Sequence, residues 1–141
     1  MVKTKNPERE ASRRHELRQA CHRMLIEHAH RDVTLAKVAR SAGVSKGMLT
    51  YYYASKDELI GDTIGWFLAQ QLQLLETIAK SDALEPRERI RMLVAAALLD
   101  RDATEREVRF QLEVWSYCKG NPDAMAMVSA GIARWTRWRS G

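Results

Sequence analysis

Cysteine, proline and long apolar runs are scarce in this sequence. Its 141 residues include 2 cysteines, 3 prolines and 2 phenylalanines. Cys21 and Cys118 have no C-x-x-C partner, which fits a reducing compartment. We interpret each of them as a small buried hydrophobic residue. For Cys118, redox sensing is the alternative. No apolar run approaches the roughly 18 residues of a membrane span, and no apolar segment follows the basic start. The sequence therefore predicts a cytoplasmic protein without a membrane partner.

The patterns of catalytic and metal sites are also missing from the sequence. It contains no nucleophile beside a base and no glycine-rich phosphate loop, so we expect no enzymatic activity and no cofactor. Four histidines, at positions 15, 22, 28 and 30, fall in the first predicted helix, Glu8–His30, and His28 is predicted on its apolar face. No two of them are four residues apart, the spacing that places two imidazoles on one helical face. We therefore predict no metal site.

Positive charge is concentrated in the first part of the chain. Residues 1–60 carry 12 Lys and Arg against 7 Asp and Glu, whereas residues 61–141 carry 11 of each. Such asymmetry is expected when one part of a protein binds a polyanion. We interpret the polar start as a flexible arm whose basic residues either reach DNA phosphates or stay solvated. These residues are Lys3, Lys5, Arg9, Arg13 and Arg14.

The middle of this basic segment has the pattern of a helix-turn-helix. Thr34 and Ser45 are suitable N-caps, and the apolar residue before each can pack against another inside the helix that follows. The pattern predicts helices over Leu35–Ala42 and Lys46–Tyr53. Gly43 supplies the positive φ that commonly ends a helix. Two helices joined by a short turn with a glycine are typical of DNA-binding proteins.

The second of these helices has an outward face suited to DNA. Tyr51 and Tyr52 can offer hydroxyls to phosphates or rings to thymine methyl groups; alternatively, they pack inward. Tyr53 is predicted to turn into the core. Gly47 permits close approach of a phosphate. Ser55 is the predicted N-cap of the next helix. Lys56 begins that helix, where a cation gains nothing from the helix dipole, so we interpret it either as a phosphate contact or as a solvated lysine.

The helix-turn-helix segment resembles the DNA-binding signature of the tetracycline-repressor (TetR) family. Residues 34–59 read T-L-x-x-V-A-x-x-A-G-V-S-K-G-x-L-x-Y-Y-Y-x-S-K-x-x-L. Family members commonly have Tyr at position 50 and His-Phe at positions 52 and 53, so Thr50 and Tyr52 depart from the commonest pattern. With the face described above, the resemblance implies a set of contacts to double-stranded operator DNA. The predicted set is Arg14, Thr34, Ser45, Lys46, Gly47, Met48, Thr50, Tyr51, Tyr52 and Lys56.

Apolar residues recur at helical spacing beyond position 59, with no alternating stretch typical of strands. The fold class predicted is therefore all-α. We predict four further helices, the second beginning at Pro86 and the third at a capping box that starts with Thr104. Their predicted core-facing residues are Ile64, Phe67, Leu68, Leu72 and Leu75; Ile90, Leu93, Val94, Ala97 and Leu98; Val108, Leu112 and Trp115; and Met125, Val128, Ile132, Trp135 and Trp138.

The resemblance implies two domains. Residues 1–58 form the arm and a three-helix DNA-binding domain, and residues 59–141 form part of a helical domain for effector binding and dimerisation. Met92, Trp115, Tyr117 and Trp135 either line a small-molecule cavity or are plain core. Family members usually continue for several helices, whose final pair forms the homodimer interface. Because the sequence stops at Gly141, we interpret it either as a fragment with a truncated bundle or as a natural short form without the usual dimer surface, and we expect a monomer or weak self-association.

The predicted function is regulation of transcription. The resemblance implies a ligand-responsive repressor that reads operator DNA through the helix from Lys46 to Tyr53. The alternative is a helical adaptor whose tyrosine face binds another protein without DNA sequence specificity. Salt dependence of binding distinguishes these two functions, because contacts to phosphates weaken steeply as salt rises.

Overall fold

The computed structural model describes residues 6–97 and 105–138, which contain seven α-helices and one 3-10 turn. No strand occurs within these ranges, so the predicted all-α fold class is confirmed. The 3-10 turn, His30–Asp32, lies between the first two helices. The helices are α1 Pro7–Glu27, α2 Leu35–Ser41, α3 Lys46–Tyr52, α4 Lys56–Ala79, α5 Pro86–Ala97, α6 Glu105–Gly120 and α7 Pro122–Trp138.

Side-chain caps determine where the first four helices begin. Asn6, Thr34, Ser45 and Ser55 each accept a hydrogen bond from a backbone N–H two or three residues later, over 3.0–3.2 Å. These bonds satisfy N–H groups that have no partner within the helix. At the start of α4, Glu58 also accepts from the backbone N–H of the residue that precedes Ser55, over 2.8 Å. The predicted N-caps of α2, α3 and α4 are thus confirmed.

Gly43 ends α2 and sets the turn into α3. Its φ is +67°, as the sequence predicts, and a Cβ added there would meet no atom within 4 Å. The site therefore requires glycine because of backbone conformation and not because of crowding. Left-handed backbone costs a residue with a Cβ roughly 1–2 kcal/mol.

Replacing Gly43 with alanine tests this turn. We expect Gly43→Ala to lower the free energy of unfolding by about 1–2 kcal/mol, because the strain has no compensating contact. Gly65→Ala is the matched control: Gly65 lies inside α4, and an added Cβ there also meets nothing within 4 Å. In urea titrations the free energy of unfolding of the Gly65→Ala control should rise by about 0.5–1 kcal/mol. Equal effects of the two substitutions would contradict the strained turn.

The core continues from the helix-turn-helix into α6 and α7. Leu17 on α1 and Ile64 on α4 are buried in the same cluster as Phe110 on α6 and Ala124 on α7. The Phe110 ring, which is 0% exposed, lies edge-on to Phe67 on α4 with centroids 4.6 Å apart. The predicted division after residue 58 falls within the first turn of α4, and it remains a prediction.

His22 on α1 is packed into this aromatic region. Its ring lies 4.3 Å from that of Phe110 and stacks on Phe67 at 5.6 Å. Its Nε2 atom is buried and has no hydrogen-bond partner within the described residues. Burial, above all, lowers the pKa of His22, because the charged imidazolium loses hydration there.

Acid should therefore destabilise the protein in part through His22. A histidine whose pKa is lowered by folding contributes stability above its unfolded pKa, about 6.5, and loses that contribution as the pH falls through its folded value. We expect the stability lost between pH 7 and pH 5 to be smaller in His22→Gln than in the parent. The control is His15→Gln at an exposed position of the same helix. Parallel stability profiles for His22→Gln and the parent would contradict this assignment.

Both cysteines are buried free thiols. Burial raises the pKa of Cys21 to about 11 and also raises that of Cys118. The reactive thiolate is thus disfavoured at neutral pH. These observations support the interpretation of both residues as small hydrophobic core residues.

Three helix ends differ from the sequence prediction. α1 ends at Glu27 instead of His30, and His28, predicted on its apolar face, is an exposed C-cap with extended backbone. The chain leaves the helix here because Val33 enters the core and His30 bonds to α6. α2 and α3 each end one residue earlier than predicted, since Ala42 and Tyr53 are their C-caps.

The apolar faces of the later helices were predicted only in part. On α4, Ile64 and Phe67 are buried as predicted. On α6, Leu112 and Trp115 were predicted to face the core but are 63% and 68% exposed. The same correction applies to Ile90, Val94 and Met125, which are exposed.

Another stripe of α6 faces the core. It consists of Phe110, Val114, Tyr117 and Cys118. Both stripes have helical spacing, and the aromatic surface of α1 and α4 selects the one that contains Phe110. Leu98 and Thr104 lie outside the described residues, and so do the side chains of Ala97, Ile132, Trp135 and Trp138.

Candidate nucleic-acid interface

α3 presents most of its side chains outward. Leu49 is its one buried residue, and Tyr53, the C-cap, is 1% exposed. Tyr51 is 61% exposed, and Tyr52 is half-buried. The exposed residues on the rest of the helix are Lys46, Gly47, Met48 and Thr50. The helix therefore has the outward face that the sequence predicts, although contact of these residues with DNA is a proposal.

The three tyrosines at the end of α3, including its C-cap, occupy different environments. The Tyr51 ring meets the Tyr52 ring edge-on, with centroids 5.1 Å apart and planes at 89°. The guanidinium of Arg14, on α1, lies 5.7 Å from the Tyr52 centroid and 5.2 Å from that of Tyr53. Tyr52 therefore connects the exposed Tyr51 to α1, and Tyr51 is restrained by a ring contact while most of its surface stays open.

Gly47 and Thr50 shape the start of the outward face. A Cβ added at Gly47 would meet no atom closer than the Ser45 hydroxyl, at 3.9 Å. The protein itself thus does not require glycine at this position, which leaves room for an external group. The Thr50 hydroxyl donates to the Gly47 carbonyl over 3.1 Å, so its donor is used within the helix.

Lysines lie at the start of α3 and shortly after its end. Lys46 is exposed on α3, and Lys56 donates from Nζ to the Arg31 carbonyl over 3.3 Å while remaining half-exposed. The neighbouring carboxylates at the start of α4 make internal hydrogen bonds: Asp57 accepts from the Tyr117 hydroxyl over 2.8 Å, and Glu58 accepts from backbone. The local charge pattern favours an anionic partner.

The predicted flexible arm is wrong for three of its residues. Arg9, Arg13 and Arg14 lie within α1, because Asn6 caps the helix and the proline that follows suits its first turn. Arg13 pairs with Glu16 over 2.6 Å. Lys3 and Lys5 lie outside the described residues.

The four predicted effector residues have unlike environments. Met92 is half-buried on α5, and Trp115 is exposed on α6. Tyr117 is buried, and its hydroxyl donates to Asp57. Burial, followed by the Asp57 carboxylate, raises the pKa of Tyr117, so the hydroxyl stays protonated at neutral pH. Trp135 lies within α7, and its side chain is outside the described part. A cavity lined by these residues remains a prediction.

Polar links between distant elements were missed by the sequence analysis. The backbone N–H of His30 donates to Glu113 on α6 over 2.9 Å, and the His30 ring nitrogen Nδ1 lies 3.0 Å from the same oxygen. Asp62 on α4 accepts from Arg18 on α1. In the sequence, a charged residue beside an apolar stripe, as at positions 18 and 62, indicates that a polar contact forms there. This pattern does not show which residue makes the contact.

Two further classes of site were sought in the part of the chain that the structure describes. Over residues 6–97 and 105–138, no group of three or more His, Cys, Asp or Glu side chains could hold a metal ion. Within the same ranges, no helix has the length and apolar character needed to cross a membrane.

Comparison with known proteins identifies the N-terminal region. Residues 17–63 match the family model described as "Bacterial regulatory proteins, tetR family". The matched range contains the second half of α1, both helices of the helix-turn-helix and the start of α4. Residues 17–63 of this chain thus match the TetR family. The resemblance seen in its sequence is thereby confirmed.

Relatives of this chain include named regulators. It is 24% identical over 125 residues to the HTH-type transcriptional regulator BetI of Stenotrophomonas maltophilia, covering 89% of this chain and 64% of that protein. It is 37% identical over 87 residues to BetI of Brucella anthropi, covering 61% of this chain and 44% of that protein. The chain thus spans less than two thirds of the length of these relatives.

A solved structure has the same fold. A transcriptional regulator from Saccharomonospora viridis, crystallised in complex with choline, superposes with a TM-score of 0.65 and 22% identity. The similarity covers 90% of this chain and 66% of that one. This comparison supports a helix-turn-helix followed by a helical bundle.

Proposed function

We propose that this chain is a TetR-family transcriptional regulator that binds double-stranded operator DNA, acts as a repressor in the cytoplasm and is released by a small molecule. The exposed face of α3 carries this proposal. Leu49 and Tyr53 hold the helix to the body while Lys46, Met48 and Tyr51 face outward. The second helix of a helix-turn-helix is the element that enters a major groove. No catalytic step or cofactor is part of the proposal.

The predicted contact residues divide into two roles. Residues on the outward face of α3 read base edges: Lys46, Met48, Thr50, Tyr51 and Tyr52. Gly47, on the same face, lets the backbone approach a phosphate closely. Arg14, Thr34, Ser45 and Lys56 contact phosphates. The Thr34 and Ser45 oxygens already accept capping bonds from backbone N–H groups. A hydroxyl can donate while it accepts, so both O–H groups remain suitable donors to phosphate oxygens.

We further propose that the region after α4 binds an organic effector through Met92, Trp115, Tyr117 and Trp135. The support is the choline bound to the Saccharomonospora viridis regulator, a quaternary ammonium of the kind that aromatic rings attract. Choline is therefore the first probe to titrate into the protein–DNA complex. Homodimerisation, which the family resemblance implies, would place two α3 helices roughly 34–36 Å apart on one face of the DNA.

Selection from a pool of randomised DNA duplexes tests the function. We expect the chain to enrich one sequence motif, with an affinity for it that falls steeply as salt rises. A pool that shows no enriched sequence would contradict sequence-specific regulation. Salt-insensitive capture of a peptide helix, with no retained DNA, would favour the adaptor function instead.

A further inference from the structure

Side chains from α1, from α4 and from the end of α3 meet at one carboxylate oxygen. Asp62, on α4, accepts through Oδ2 from the Tyr53 hydroxyl over 2.7 Å and from Arg18 Nε over 2.8 Å. Tyr53 is the C-cap of α3, and Arg18 lies on α1. We call Tyr53, Asp62 and Arg18 the anchor triad. It ties the end of α3 to both long helices of the N-terminal region.

The anchor triad is largely withdrawn from water. Tyr53 is buried, and the side chains of Arg18 and Asp62 are 23% and 24% exposed. Burial, and then the hydrogen bond to Asp62, raise the pKa of Tyr53 well above its ordinary value, so its hydroxyl remains a donor at neutral pH. A hydrogen bond to a charged, partly buried partner is stronger and more directional than one between neutral groups.

α3 has few other attachments. It is a seven-residue helix with one buried side chain, Leu49, near its middle. A helix that is fixed mainly through Leu49, with Tyr52 only partly buried against the core, can pivot around the Leu49 contact, whereas a second fixed point at its end determines its direction. Tyr53 supplies that second point, because its ring is buried and its hydroxyl is bonded.

We propose that the anchor triad is a positioning device for DNA recognition, which sets the angle of α3 and thereby the discrimination between DNA sequences. This inference rests on the proposed function. Contacts to base edges depend on the direction of the helix, whereas contacts to phosphates tolerate small rotations. Loss of the Tyr53 hydroxyl should therefore reduce specific binding more than non-specific binding.

The test uses Tyr53→Phe, which removes the hydroxyl and keeps the ring. Affinity is measured for the selected duplex and for a scrambled duplex of equal length, and the readout is their ratio. We expect the ratio to fall about tenfold, as loss of a hydrogen bond to a charged group can produce, while affinity for the scrambled duplex is unchanged. Ile60→Val is the matched control, because it removes one buried methyl group from α4 without touching the triad. It should lower stability and leave the ratio unchanged.

A double-mutant cycle with Asp62→Asn completes the experiment. If the triad acts as a unit, adding Tyr53→Phe to Asp62→Asn should change the ratio less than Tyr53→Phe changes it alone. An unchanged ratio in Tyr53→Phe, or an equal fall in Ile60→Val, would overturn the positioning role while operator binding by the parent still stands. A parent chain that does not prefer the selected duplex would instead refute the proposed function, and the positioning role with it.

Discussion

Phe110→Ala should lower the free energy of unfolding by about 3–5 kcal/mol, the range for truncation of a fully buried aromatic residue. The Phe110 ring on α6 lies against Phe67 on α4 and His22 on α1, so its removal leaves a cavity between three helices. The loss is a large fraction of the roughly 5–15 kcal/mol that stabilises an ordinary domain. Urea unfolding followed by circular dichroism measures it.

The matched control lies two residues further along α6. Leu112 is exposed, so Leu112→Ala should change the unfolding free energy by less than about 0.5 kcal/mol. A Phe110→Ala variant that is as stable as this control would mean that α6 does not pack against α1.

Tyr51→Ala should weaken binding to the selected duplex by about 1–3 kcal/mol, or roughly 5–150-fold. Tyr51 is the largest exposed side chain on α3 and is held edge-on by Tyr52, so it can contact bases without loss of core packing. Stability should change little. Fluorescence anisotropy with a labelled duplex measures the affinity.

Two further variants show what Tyr51 contributes. Tyr51→Phe keeps the ring, so it separates a contact to a thymine methyl group from one made by the hydroxyl. Ile90→Ala, at an exposed position on α5, should leave DNA affinity unchanged. If Tyr51→Ala bound the selected duplex with normal affinity, the proposal that α3 reads the DNA sequence would be wrong.

The helix-turn-helix could be predicted because its determinants are local. Thr34, Ser45 and Ser55 each accept from an N–H group three residues away, and Gly43 adopts a conformation that few other residues tolerate. Each of these helix starts and the turn at Gly43 depends only on residues within one or two helical turns. The outward face of α3 follows from the position of Leu49 alone.

The contacts between helices could not be predicted because they join distant residues. His30 and Glu113 are 83 positions apart, and Asp57 and Tyr117 are 60 apart. α6 has two stripes with helical spacing, and only the surface of α1 and α4 decides that Phe110, and not Leu112, is buried. Similarly, nothing near Asp62 in sequence indicates that its partners are Arg18 and Tyr53.

Hybrid regulators made by exchanging DNA-binding helices between this chain and a relative must keep the core contacts that join the exchanged segment to α6. A splice at residue 58 would place a foreign α1 against Phe110 and remove the partner of Glu113. It would also remove Asp57, to which Tyr117 donates. The unit that can be transplanted from this chain is therefore the whole segment up to residue 58 together with the residues at positions 110, 113 and 117. A hybrid that carries all of them keeps both its aromatic packing and its polar links.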